Sequence, residues 1–98
     1  MAGFGVLIKR SRENLGLTVR ALADAIGKSP GYISRIEVQG EIPSVDLVVE
    51  LAAALEGNVE EFLESAKNDS MARAVREVEA KYRDALSLPN NKPPHPNP

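Results

Sequence analysis

Residues 17–37 read LTVRALADAIGKSPGYISRIE, and the spacing inside this stretch decides the fold. Leu22, Ala23 and Ile26 recur at steps of three and four, which marks one buried face of a short helix. Thr18 stands where its N-cap hydroxyl belongs. Gly27 lets the chain leave that helix through a left-handed conformation. Ser29-Pro30 then restarts a helix with a hydroxyl N-cap and a proline at the first position, where its missing N–H would have had no partner anyway. In the second helix Ile33 and Ile36 point inward, leaving Gly31, Tyr32, Ser34 and Arg35 on the outer or flanking surface and Ser29 at its N-terminal end. Two helices joined by so short a glycine turn cross steeply. On these features alone an ordinary helical hairpin in a small bundle fits as well.

Working outward, a first helix is expected over residues 4–15, with Leu7 and Ile8 inward, Lys9, Arg10 and Arg12 at or near the surface, and Gly16 as breaker. After the central pair, residues 38–43 read as a loop in which Gly40 takes positive φ. Pro43-Ser44 starts a fourth helix that buries Val45, Val48, Leu51, Ala52 and Leu55 and ends at Gly57. Asn58 with Glu61 three residues on makes a capping box for a fifth helix, whose Val59, Phe62 and Leu63 close the core.

The run L-T-V-R-A-L-A, then I-G-K-S-P-G-Y-I-S-R-I-E, then I-P-S, then L-A-A-A-L resembles the Cro and lambda-repressor class of bacterial helix-turn-helix proteins, the xenobiotic-response-element (XRE) type. The resemblance covers about residues 6–63 and keeps the order and spacing of five helices. It implies an all-α fold: a five-helix lambda-repressor-like DNA-binding domain over residues 1–66, with a C-terminal helical extension over 67–88 and a Pro-rich tail over 89–98.

Composition agrees. A chain of 98 residues, 43% apolar with only two Phe and two Tyr, suits one small core of Leu, Ile, Val and Ala. It has no cysteine, which removes disulfides, thiolate metal sites and thiol nucleophiles. No apolar run approaches the ~20 residues that span a bilayer, and the N-terminus lacks a secretion signal, so a cytoplasmic, nucleoid-associated home and no membrane partner are expected. The net charge of -2 argues against nucleic acid until its distribution is considered. Residues 1–40 carry six bases against three acids, residues 41–66 carry seven acids and no base, and residues 67–98 carry six bases against four acids. The positive part coincides with the central helix pair, and an acidic back would oppose wrong-way docking on a duplex.

The resemblance also assigns roles. In that class an arginine late in helix 1 pairs with the glutamate that ends the reading helix, and Arg12 and Glu37 hold those positions. Helix N-termini offer outward N–H groups to phosphates. Thr18, Arg20, Lys28, Ser29, Gln39 and Gly40 are the phosphate candidates, with Lys9 and Arg10 placed less favourably. Val19 stands where the class commonly has a phosphate-binding glutamine. Pro30 and Gly31 replace the long amides that often read adenine. Base reading therefore falls to Ser29, Tyr32, Ser34, Arg35 and the close backbone at Gly31, with Arg35 suited to guanine O6 and N7.

Beyond the fifth helix, Met71, Val75, Val78, Tyr82 and Ala85 alternate by four and three, a heptad seam of about two repeats. Two placements are open: self-association, which a protein reading two half-sites needs, or a sixth helix folded onto its own chain. Residues 89–98 contain five prolines and the single His95, a solvated tail with no metal or catalytic role. No cofactor site and no nucleophile with a partner histidine is evident, so an enzyme is not expected. The expected function is a dimeric DNA-binding repressor of a near-palindromic operator on double-stranded DNA. The class suggests control of its own phage, restriction-modification, toxin-antitoxin or antiphage-defence operon, with a regulatory protein or peptidase as a further partner. The alternative is an antitoxin or interaction module whose extension binds a partner protein.

Overall fold

The computed structural model describes residues 3–89 as five helices: α1 (Phe4–Asn14), α2 (Val19–Ala25), α3 (Pro30–Gln39), α4 (Val45–Ala54) and α5 (Val59–Leu86). Among the described residues there is no strand. The expected all-α class, helix order and central turn hold. Residues 90–98, with His95 and most of the Pro-rich tail, lie outside the described residues.

The starts of α2, α3, α4 and α5 are each fixed by a local bond. The side-chain oxygens of Thr18, Ser29, Ser44 and Asn58 accept from the backbone N–H of Ala21, Tyr32, Leu47 and Glu61, satisfying donors that the helices cannot satisfy themselves. Gly16, Gly27 and Gly40 all have positive φ. After α4 the left-handed residue is Glu56 (φ 55), not Gly57. Gly57 is required for a different reason: a Cβ there would overlap the Phe62 ring, so the chain passes flat against a core aromatic.

The core gathers Phe4 and Ile8 of α1, Leu22, Ala23 and Ile26 around α2, Ile33 and Ile36 of α3, Leu47, Val48, Leu51, Ala52 and Leu55 around α4, and Phe62 and Ala66 of α5. Fully burying a large side chain of this kind contributes about 1.5–3 kcal/mol, so these residues supply most of the drive to fold. Phe4 and Phe62 meet edge to face, ring centroids 6.4 Å apart. Two expected core positions are corrected. Val45 is 67% exposed: as the first helical residue it stands at the margin of the stripe that Leu47, Val48, Leu51 and Ala52 bury. Val59 is 39% exposed although it shares the face of Phe62 and Ala66, because it is the first residue of α5, and Leu63 is half-buried.

The largest departure from expectation is at the C-terminal side. The fifth helix and the extension are one unbroken helix of 28 residues, roughly 42 Å long at 1.5 Å per residue. Among the described residues there is no turn between Ala66 and Leu86 and no sixth helix folded back. The same helix ties down two others. The Asp69 carboxylate accepts from the Phe4 N–H at 2.8 Å, capping α1 where Gly3 offers no side chain, and an Arg73 Nη2 donates to the Gly40 carbonyl that closes α3. Both contacts match helix polarity, an anion at an N-terminus and a cation at a C-terminus.

Candidate nucleic-acid interface

The helix pair is set by its turn. Ile26 leaves α2, Gly27 (φ 67) reverses the chain, and the Lys28 N–H returns to the Ala23 carbonyl at 2.9 Å, after which Ser29 and Pro30 open α3. Ile33 and Ile36 are fully buried, which leaves Gly31, Ser34 and Arg35 exposed and Tyr32 half-buried on the outer face, as expected. Ser29→Ala removes the oxygen that accepts from the Tyr32 N–H at 3.2 Å. It should cost about 1 kcal/mol in denaturant melts and fray the N-terminal turn that carries Gly31 and Tyr32.

The orientation of α3 is held by a nearly buried ion pair. Arg12 Nε and Nη2 donate to Glu37 Oε2 and Oε1 at 2.8 and 3.0 Å, and Nη1 donates to the Leu17 carbonyl at 2.9 Å. The two side chains are 11% and 5% exposed. Hydrogen bonding to Glu37 raises the Arg12 pKa above its ordinary value, more than burial opposes it. With all three nitrogens engaged inside the protein, Arg12 is spent on structure: it locks α1, the α1–α2 turn and α3 together.

On the outer face, Tyr32 is the centre of a cationic cluster. Lys28 Nζ lies 5.5 Å and Arg35 Cζ 5.4 Å from its ring centroid, both within cation–π range. Burial raises the Tyr32 hydroxyl above its ordinary pKa, with Glu41 adding to the shift and Arg35 opposing it. Arg35 Nε donates to Glu41 Oε1 at 3.1 Å, a pair half open to solvent at 46% and 40% exposure. The acidic segment that begins at residue 41 is therefore not wholly at the back: its first carboxylate stands beside Arg35 on the outer side of α3. Arg20, Lys28 and Gln39 are exposed, as are Lys9 and Arg10 on α1. Gly40 is placed beside them with its carbonyl accepting from Arg73, and the Gln39 side chain next to it is exposed.

Sequence reasoning missed Glu41, Asp69 and Arg73. The last two were within reach, since Phe62, Ala66, Asp69 and Arg73 continue one inward stripe at steps of four, three and four. A family model for helix-turn-helix proteins, HTH_3, matches residues 8–62, which spans α2, its turn and α3 and most of the packed body.

The chain belongs to the HTH_3 helix-turn-helix family.

Two solved structures of the clp gene regulator ClgR from Corynebacterium glutamicum are similar to this HTH_3 protein. One is 32% identical with a TM-score of 0.57, covering 66% of this chain and 84% of that one. The other is 28% identical with a TM-score of 0.58, covering 91% of this chain and 92% of that one, so the likeness continues into α5. No curated protein is a significant match. Family and neighbours make this an XRE-type DNA-binding transcription regulator. Among the described residues no helix is long and apolar enough to cross a membrane.

Proposed function

We propose that this regulator is a homodimeric, sequence-specific repressor in the cytoplasm, placing two α3 helices in successive major grooves of a near-palindromic operator. In this arrangement Ser29, Gly31, Tyr32, Ser34 and Arg35 face base edges, while Thr18, Arg20, Lys28 and Gln39 meet phosphates. Arg12 and Glu37 hold the helix that reads.

The observation that carries the dimer is the exposed stripe on α5. Met71, Val75, Val78 and Tyr82 are 60, 55, 53 and 70% exposed, and Ala85 continues the line. At about 100° per residue these positions lie nearly opposite Asp69 and Arg73, so the stripe faces directly away from the body that those two residues grip. The chain's own helices therefore leave it uncovered, and its steps of four and three are those of a seam that meets an identical helix. Occupying a promoter with such a dimer blocks polymerase without further chemistry, and autoregulation of a small operon suits it.

The test introduces Val75→Glu with Val78→Glu, both exposed and outside the core. Sedimentation equilibrium should show the mass fall from two chains to one, and operator affinity should drop on the order of 100-fold as two linked half-site contacts become independent. A wild-type protein that is monomeric while saturating its upstream DNA would refute the dimer. Tight binding to a neighbouring gene's product, with no salt-dependent preference for any duplex, would instead favour the antitoxin alternative.

A further inference from the structure

Arg35 is held on two sides before any DNA arrives. Tyr32 presents its ring to the guanidinium, and Glu41 accepts from Nε at 3.1 Å. Glu41 is itself fixed: after the left-handed Gly40, its backbone N–H returns to the Arg35 carbonyl at 3.1 Å. The same two residues are thus joined through both main chain and side chain. Such a double tie is more than a surface ion pair ordinarily provides, because the helix cap has already fixed the main chain from which the carboxylate reaches.

The choice of nitrogen matters. A guanidinium has two edges with which it can form a fork, one through Nε and one Nη, the other through both Nη groups. Glu41 engages the first through Nε. The second stays open, and Nη1 lies over Gly31, 3.9 Å from where a Cβ would stand, toward the N-terminal half of α3. In helix-turn-helix docking it is this half that approaches base edges. Guanine O6 and N7 require a paired N–H edge of that kind. A carboxylate on this face also repels phosphates and lowers general affinity for a polyanion, so its presence suits orientation and not grip.

We propose that Glu41 is a specificity-determining positioning residue. It presents the terminal edge of Arg35 to a guanine and denies Arg35 the alternative of closing on the nearest phosphate. The inference rests on the DNA-reading role proposed above and adds a residue to it.

The experiment selects binding sites from randomised duplexes with the full chain, in parallel with Arg35→Ala, Glu41→Ala and Glu41→Gln, then measures affinities on the enriched sites. Wild type should enrich one guanine per half-site, and Arg35→Ala should lose it. Glu41→Ala should lower discrimination at that base pair by about 5- to 10-fold, within the range one bidentate contact supplies, while its affinity for unrelated DNA rises. Glu41→Gln, whose amide oxygen still accepts from Nε, should restore most of the discrimination. A merely structural salt bridge would move affinity equally on all duplexes and leave the preferred base unchanged, which would overturn the proposal. So would loss of preference at a different base pair, since Glu41 would then be reading cytosine itself. A wild-type chain that enriches no sequence would overturn the proposed function and this inference together.

Discussion

Arg12→Ala is expected to lower the unfolding free energy by about 3 kcal/mol, the cost of leaving a nearly buried carboxylate without its partner. Glu37 is 5% exposed, and Arg12 supplies both of its side-chain bonds, at 2.8 and 3.0 Å. For a domain of this size the melting temperature should fall on the order of 15 °C. Glu37→Ala should cost somewhat less, because Arg12 keeps its bond to the Leu17 carbonyl. Arg12→Lys will not rescue the loss, since an ammonium cannot reproduce the two-pronged bond. The pH dependence has a definite sign. The pKa of Arg12 is raised in the folded chain, so its contribution is fully present below the unfolded value and is lost only as pH climbs through the strongly alkaline folded value. Wild type and Arg12→Ala should therefore keep a constant gap in stability as pH rises from neutral, measured by urea melts. A gap below 1 kcal/mol would mean that solvent reaches the pair and that α3 is oriented by packing alone.

Gly5→Ala is the second large effect, and its direction is opposite to helix propensity. In an unobstructed helix the change should stabilise by up to about 1 kcal/mol. Here the new Cβ would overlap the Ile36 carbonyl oxygen and stand 3.2 Å from that of Glu37, all of it main chain that cannot rotate away. The α1 and α3 axes must separate to admit a methyl group, and overpacking of this kind costs about 1–3 kcal/mol. Because Glu37 is among the displaced residues, the bond to Arg12 is strained as well. A net loss near 2 kcal/mol is expected, with weaker DNA binding at temperatures where the protein is still folded. Gly31→Ala is the control: its Cβ meets only Arg35 Nη1 and Ser29 Oγ at 3.9 Å, so it should be neutral or slightly stabilising. Equal effects of the two substitutions would show that α1 and α3 are less closely apposed than the structure has them.

Most of the fold could be read from local chemistry. Thr18, Ser29, Ser44 and Asn58 each cap the helix they precede, and Gly27 turns where a left-handed residue was needed. Such signals lie within a few residues of their effect. Contacts distant in sequence were not legible in the same way. Asp69 acts on Phe4 across 65 positions and Arg73 on Gly40 across 33, and neither leaves a pattern near its partner. Gly5 was silent because a helix crossing is a property of two segments at once. The site divides similarly: the outer face of α3 follows from its helical period, whereas Glu41 follows a cap and belongs by position to an acidic stretch. Only the geometry sets it beside Arg35. Val45 and Val59 have the right spacing to Val48 and Ala52 and to Phe62 and Ala66 but are exposed as the first residues of their helices, which periodicity does not register.

The uninterrupted course of α5 makes angular position a matter of residue count. Asp69 and Arg73 clamp one side of the helix to α1 and α3, and from that clamp to Val75 and Tyr82 there is no joint at which rotation could be absorbed. Each residue added or removed after Arg73 would swing everything beyond it by about 100° and shift it by 1.5 Å, like a key recut on a fixed shaft. The bearing of the outer face relative to α3 is therefore written in the length of the intervening chain as firmly as in its composition.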